Sequence, residues 1–355
     1  MEITKEKVLE VLSNVIEPDL KKDIVTLNLV DELSIEGNSI SARIKVSNPA
    51  LHARNRMKEA VSFALHKVLG NEIEIHATVV GLPKEEQHIV PRKILPEVKH
   101  IVAIASGKGG VGKSTVTANL AAGLTKAGYK VGVVDADIYG PSMPTMFDVV
   151  GERPTMIDVD GIPKISPVMA YGVQLLSIGF FTDQDNAVVW RGPMASKALT
   201  QMFTDSYWGK LDYLLIDLPP GTGDIHLSLV QTVPLDGAVI VSTPQEVALA
   251  DARKGVNMFQ LDSIKVKVLG IIENMAWFTP AELPDNKYYI FGRDGAKNLA
   301  ESMGVPFLGH LPLVQSIREA GDVGRPAAFQ ENTPLSNALD ELVRNFVEQV
   351  NTAEN

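Results

Sequence analysis

The sequence predicts an α/β protein, a mainly parallel sheet flanked by helices and preceded by a small α+β domain. Three observations carry this reading. The stretch Gly107-Lys108-Gly109-Gly110-Val111-Gly112-Lys113-Ser114-Thr115 fits the phosphate-loop spacing of Gly, four residues and Gly-Lys-Ser/Thr. It lies between an apolar run, Ile101 to Ala105, and a helical stretch, Val116 to Lys126, that Gly128 closes. Further apolar runs at Lys130 to Asp135, Tyr213 to Asp217, Gly237 to Ser242 and Val266 to Ile272 alternate with helical stretches, the pattern of a doubly wound sheet. The boundaries expected are residues 1–80 for the small domain, 81–99 for a linker and 100–355 for the phosphate-loop domain.

In the first domain, Thr4 can cap a helix with apolar positions Val8, Leu9, Val11, Leu12, Val15 and Ile16, stopped by Glu17-Pro18-Asp19. Leu27 to Ile35 and Ser39 to Val46 read as strands joined across Glu36-Gly37-Asn38. A helix from about Ala53 carries the stripe Met57, Val61, Ala64, Leu65 and Val68 and ends at Gly70, before a third strand, Glu72 to Val80. His52, beside the loop Asn48-Pro49-Ala50-Leu51, reads as a cap or surface residue rather than a ligand. Pro83, Pro91 and Pro96, among many charges, mark the linker.

In the second domain, Thr155 to Gly179 reads as inserted short strands and turns, and Trp190-Arg191-Gly192-Pro193 leads into a helix, Met194 to Phe203. The irregular segment Met275 to Phe291 carries Trp277, Phe278, Tyr288, Tyr289 and Phe291, read first as loop packing and second as a partner-facing surface. Leu335, Leu339, Leu342, Val343, Phe346, Val347 and Val350 form a helical stripe whose opposite face holds Asp340, Glu341, Arg344 and Glu348. Such a helix packs on its own domain, because one directed to anionic membranes would carry Lys and Arg.

The net charge of −10 over 355 residues disfavours a sequence-independent grip on nucleic acid. No apolar run is long enough to span a bilayer and Met1-Glu2-Ile3-Thr4-Lys5 has no secretory pattern, so a cytoplasmic protein is expected. There are no cysteines, which excludes disulfides and thiolate ligands.

The chemistry gathers at strand ends. The loop glycines let backbone N–H groups wrap a phosphate, with the helix N-terminus adding its positive end. Lys113 would reach the β- and γ-phosphates and the Ser114 hydroxyl would hold Mg²⁺. Of the two carboxylates in Asp135-Ala136-Asp137-Ile138-Tyr139-Gly140-Pro141, one can hold Mg²⁺ or its water shell while the other orients an attacking water. Asp217, ending an apolar strand, has the place of a Walker-B aspartate, and Pro219-Pro220-Gly221-Thr222-Gly223-Asp224 after it permits close approach to a γ-phosphate and movement once it leaves.

With Lys108, the loop resembles the deviant Walker-A group that includes nitrogenase iron protein, MinD and ParA. Within that group it is most similar to the Mrp-type iron–sulfur cluster carrier ATPases, through Asp135 to Ser142, Trp190-Arg191-Gly192-Pro193-Met194, Asp217 to Asp224, Glu273-Asn274-Met275 and Ile290-Phe291-Gly292. Glu17-Pro18-Asp19 and Asp23-Ile24-Val25 resemble the small domain fused ahead of Mrp and found in iron–sulfur maturation factors. The resemblance implies a MinD-like P-loop NTPase fold and a slow, homodimeric ATPase with nucleotide between two copies. By similarity Lys108 would cross to the partner's nucleotide and act with Lys113 and Asp137 in catalysis, Asp137 positioning the water. Ser114, Asp135 and Asp217 are then the candidates for Mg²⁺, and Asn274 would contact the adenine. The cargo implied is an iron–sulfur cluster exchanged with donor or acceptor proteins, without nucleic acid or membrane.

One departure concerns that cargo. The family's Cys-Pro-x-Cys pair is here Pro280-Ala281-Glu282-Leu283, and the cysteine usual after Pro-Ala in the small domain is Leu51. No iron–sulfur ligand is identified in the chain, because such clusters require thiolates and carboxylates favour harder ions. A nucleotide-switched scaffold or positioning ATPase without metal cargo is the alternative.

Overall fold

The computed structural model describes residues 4–17, 22–46, 51–70, 72–81, 94–181, 192–223, 226, 229–230, 232–262, 264–280, 282–331 and 333–353. The chain divides into two units, Met1–Pro91 and Arg92–Asn355. Pro18, Asp19, the side chain of His52, most of the linker, Trp190, Arg191, Asp224 and Ala281 lie outside that description.

In the first unit Thr4 caps α1 (Lys5–Leu12), accepting from the Lys7 N–H. The helix is shorter than its apolar pattern predicts. Ser13 and Asn14 turn their side chains back onto the carbonyls of Glu10 and Val11, which supplies the orphan acceptors at the helix end and stops it. Ile16, expected on the helix, instead begins β1 (Ile16–Glu17), which pairs with β2 (Lys22–Asp23). Strands β3 (Val30–Glu36), β4 (Ser39–Val46) and β5 (Glu74–Gly81) form one sheet, antiparallel between β3 and β4 and parallel between β4 and β5. The parallel pair needs a crossover, supplied by α2 (Leu51–Leu69). Met57, Val61 and Leu65 of its stripe are buried with Ile40 and Ile44, but Val68 is exposed near the helix end.

The second unit is built on a sheet of order β10-β11-β7-β12-β6-β13-β14-β15. Its strands are β6 (Val98–Ala105), β7 (Val131–Asp135), β10 (Val168–Ala170), β11 (Val173–Ser177), β12 (Leu211–Asp217), β13 (Gly237–Ser242), β14 (Val268–Glu273) and β15 (Phe307–His310). All neighbouring pairs are parallel except β10 with β11. Central strands such as Ile101–Ala105 and Leu214–Ile216 are buried on both faces, which is why they read as continuous apolar runs. The segment expected as an insertion is split: β8 (Thr155–Val159) and β9 (Ile162–Ser166) form a separate hairpin, whereas β11 enters the main sheet by burying Val173, Leu175 and Leu176.

Helices α3 (Lys113–Lys126), α4 (Met143–Met146), α5 (Gly192–Thr204), α6 (Glu246–Gln260), α7 (Gly295–Met303), α8 (Gln315–Asp322) and α9 (Pro334–Ala353) accompany this sheet. In α9, Leu335, Leu339, Leu342, Val343, Phe346 and Val350 are buried in the unit's core, as the stripe predicts. No helix among the described residues is long and apolar enough to cross a membrane. The strand order places β6 between β12 and β13, so the loop that leaves β6 opens beside the C-terminal ends of its neighbours.

Candidate functional site

The loop after β6 turns through Gly110 at φ +84° and Gly112 at φ +82°, and α3 begins at Lys113. Both angles lie in the left-handed region that glycine enters without steric cost. Gly107 serves another purpose. A Cβ there would overlap the Asp251 backbone carbonyl, so the missing side chain lets α6 approach the loop. The Ser106 hydroxyl donates to the Lys108 carbonyl, and Gly221 N–H donates to the Ser106 carbonyl, tying the segment after β12 to the loop.

At the loop's end a buried polar cluster forms around Asp217. Its Oδ2 accepts from Ser114 Oγ at 2.6 Å and lies 2.8 Å from Lys113 Nζ. Its Oδ1 lies 2.7 Å from Thr117 Oγ1, which is also 3.0 Å from the Lys113 carbonyl. Asp217 is fully buried and Lys113 nearly so, so the ammonium and the two hydroxyls offset the carboxylate's desolvation. Ser114 and Asp217 are therefore mutually placed, and their oxygens suit a hard cation such as Mg²⁺. Bound there, the ion would neutralise phosphate charge.

The two carboxylates after β7 are not equivalent. Asp137 Oδ1 accepts from the N–H groups of Tyr139 and Gly140, while Oδ2 faces Lys113 Nζ at 4.0 Å. Asp135 has turned inward. Its Oδ2 accepts from Met143 N–H and the Ser177 hydroxyl, and its Oδ1 from Asp137 N–H. Burial, and next the Asp217 charge, push its carboxyl up to about 7 against those hydrogen bonds and Lys113. In this arrangement the Asp135 oxygens brace the 137–143 turn, so a Mg²⁺ role for Asp135, as expected from the sequence, would have to share its carboxylate with those hydrogen bonds.

Asn274 also has a job that its expected adenine contact does not describe. Its amide donates to the Val111 carbonyl at 2.9 Å, and a Cβ on Gly112 would collide with that same amide. It is one wall of a cavity of about 520 Å³ lined also by Gly112, Thr115, Ser142, Met146 and Ile317, a size suited to a small-molecule ligand. Lys108 is half-buried, and no carboxylate among the described residues pairs with it.

Two residues stand at the site without a motif to point to them. Thr117 lies three positions after Ser114, which on a helix is the same face; that spacing is its only sequence signal. His226 is buried with no hydrogen-bond partner for Nε2 among the described residues, and burial first, then Lys113, lowers its pKa to about 4. Of the aromatics after β14, Trp277 and Phe278 are half-buried and Phe278 exchanges backbone hydrogen bonds with Tyr288, whereas the Tyr288, Tyr289 and Ile290 side chains are exposed.

Residues 97–347 match the family of ParA-type, NUBPL iron-transfer P-loop NTPases, and residues 5–77 match that of iron–sulfur cluster assembly proteins. The iron–sulfur cluster carrier protein of Synechocystis is 40% identical over 355 residues, covering 99% of both chains. The chain belongs to the iron–sulfur cluster carrier family of P-loop NTPases.

For this carrier-family chain, a solved nucleotide-binding protein from Archaeoglobus fulgidus, in complex with ADP, aligns with a TM-score of 0.58 at 37% identity, over 66% of this chain and 90% of that one. The cell-division ATPase MinD of Pyrococcus furiosus aligns with a TM-score of 0.52 at 24% identity over 70% and 98%, a likeness of fold. The MinD-like, mainly parallel fold read from the sequence is thereby established. The carrier's cargo does not fit the donors found after β14: Glu282 and Leu283 are exposed and the chain has no thiolate.

Proposed function

We propose that this carrier-family protein binds Mg·ATP at Gly107–Thr115 and hydrolyses it slowly as a homodimer. The observation that carries the reading is the convergence of Lys113, Ser114 and Asp217, with Asp137 Oδ2 4.0 Å from Lys113 Nζ. In this arrangement the loop N–H groups and Lys113 hold the phosphates, and Ser114 and Asp217 hold Mg²⁺ directly or through water. Asp137, anchored by one oxygen, orients the attacking water with the other. Lys108 of each copy reaches the partner's nucleotide and stabilises charge developing on the γ-phosphate. Asn274 fixes the loop and walls the cavity that receives the base.

The nucleotide cycle then serves iron–sulfur cluster assembly, with the cluster as cargo exchanged with donor and acceptor proteins in the cytoplasm. Since this chain has no cysteine, a partner must supply the thiolates. A second reading, a nucleotide-switched scaffold with no cluster on either chain, is favoured by that same absence.

Phosphate release by wild type, Lys108→Ala and Asp137→Ala, together with sedimentation in Mg·ATP, tests the core of this. Asp137→Ala is expected to keep ATP binding and lose turnover, and Lys108→Ala to bind normally but hydrolyse more slowly. Unchanged turnover in Lys108→Ala, or a wild type that stays monomeric while hydrolysing, overturns the dimer mechanism. Anaerobic incubation with iron and sulfide separates the cargo readings: stoichiometric cluster on this chain alone contradicts the need for partner thiolates.

A further inference from the structure

Outside the nucleotide site, one group of ligand-type side chains is assembled by the fold itself. Glu273 and His310 are register partners at the C-terminal ends of the parallel strands β14 and β15. Asp294 stands at the start of α7, in the left-handed region at φ +55°. His310 Nε2 lies 3.1 Å from Asp294 Oδ1 and 3.6 Å from Glu273 Oε1, and one ligand atom from each residue falls within 4.8 Å of the others.

Glu273 is the decisive member. It is 1% exposed, and its Oε2 accepts from Ala296 N–H at 2.6 Å, which accounts for one oxygen. Oε1 is buried, has no hydrogen-bond partner among the described residues, and points to His310. Apart from the 3.6 Å approach of His310, this buried oxygen is unsatisfied among the described residues, and a carboxylate oxygen without a hydrogen bond in a protein interior is costly; an ion between it and the imidazole would satisfy it. Burial raises the Glu273 pKa, with Ala296 N–H and His310 opposing it. The His310 ring is held by Phe307 at 4.7 Å and Trp277 at 6.1 Å between centroids, so its nitrogen is aimed rather than free to swing.

We propose that Glu273, Asp294 and His310 form a divalent transition-metal site separate from the nucleotide site. Ligand atoms about 2.0–2.2 Å from Zn²⁺ in tetrahedral or octahedral geometry are spaced roughly 3–3.5 Å from one another. The 3.1 Å separation falls within that spacing and the 3.6 Å separation lies just above it, before any ion draws the side chains together. One imidazole and two carboxylates select Zn²⁺, Fe²⁺ or Mn²⁺ over soft, thiolate-seeking metals and leave positions open for water. His310 and Asp294 are partly exposed, which gives an ion a way in.

The test is isothermal titration of the untagged full-length chain with Zn²⁺, without nucleotide and in excess Mg²⁺. One Zn²⁺ per chain is expected, together with a rise in melting temperature. His310→Ala and Asp294→Asn should each weaken this binding at least roughly tenfold, since losing a ligand costs no less than losing its supporting hydrogen bond. Lys113→Ala, which leaves all three proposed ligands in place, should retain it in samples whose circular dichroism matches wild type. Because Glu273 also supports α7, Glu273→Gln is judged by binding only where its circular dichroism matches wild type. Ligand-field absorption of bound Co²⁺ that disappears in His310→Ala gives a second readout. Zn²⁺ affinity unchanged in both His310→Ala and Asp294→Asn, or binding lost in a Lys113→Ala variant that keeps the wild-type circular dichroism, overturns the assignment.

Discussion

The Asn274 side-chain amide donates to the Val111 carbonyl at 2.9 Å, joining the residue after β14 to the middle of the phosphate loop. Val111 and Asn274 are both buried, so the carbonyl has no water to fall back on if the amide is removed. Asn274→Ala should therefore loosen the loop and weaken ADP binding about fivefold, the equivalent of about 1 kcal/mol for one net hydrogen bond. Titration with a fluorescent ADP analogue measures this, and an unchanged Kd would mean that the bond does not order the loop.

Gly112 faces the same amide from the other side. An alanine there combines a left-handed φ of +82° with a clash against the Asn274 side chain. Gly112→Ala is expected to lower nucleotide affinity well beyond the effect of Asn274→Ala. The double variant Gly112→Ala/Asn274→Ala should recover only part of the loss, because removing the amide relieves the clash but not the backbone strain, about 1–2 kcal/mol. Full recovery would assign the whole effect to the clash.

The Lys113–Asp217 pair sets a stability prediction. With Lys113 replaced by Met, the fully buried Asp217 carboxylate keeps Ser114 and Thr117 as donors but loses its cation. Breaking one side of a buried pair costs about 3–5 kcal/mol, reduced here by the hydroxyls that remain. Chemical denaturation should show Lys113→Met less stable than wild type, and Lys113→Met/Asp217→Asn more stable than Lys113→Met. A double variant no better than the single one would place the cost in lost packing.

His226 predicts an acid-sensitive window. Its pKa is held near 4 by burial and then by Lys113, below the ordinary 6.5. The folded state binds this proton less readily than the unfolded state, so stability is complete above about pH 6.5 and falls as the pH drops toward 4, by on the order of 3 kcal/mol. His226→Gln should flatten that part of a stability–pH profile measured by denaturant titration. A slope identical in the variant would locate the acid sensitivity elsewhere.

The nucleotide loop and its strand–helix frame were legible because the chemistry demands fixed spacing. Glycines, Lys113 and Ser114 must follow one another, and the apolar runs on either side are what a sheet buried on both faces requires. Asp217 was legible for the same reason, as a charge ending such a run. Asp135 and Asp137 were ambiguous: two carboxylates two residues apart at a strand end look alike until Ser177 on β11 and the Met143 N–H claim the first of them. Those partners come from elsewhere in the chain, and no local pattern announces them. β11 itself was hidden because a short strand that joins the sheet edge and one that forms the β8–β9 hairpin share the same composition. The end of α1 depended on Ser13 and Asn14 turning back on their own helix. Thr117 had only its helical spacing from Ser114 to mark it, and His226 and the buried face of Glu273 emerge only from packing.

Glu273 and Asn274 are consecutive, yet their side chains serve different neighbours, the start of α7 for one and the phosphate loop for the other. Alternation along an extended chain permits this division only in one phase. A single residue gained or lost near the end of β14 would present the carboxylate where the loop needs an amide donor, and the amide where α7 needs an acceptor. Strand length at this point is thus fixed by a demand for parity. The chain stays tied as far as Phe278, through Ala276 and Trp277 to Leu311 and Leu313 and through Phe278 to Tyr288, so natural length variation in this region should fall between Phe278 and Tyr288 rather than before Asn274.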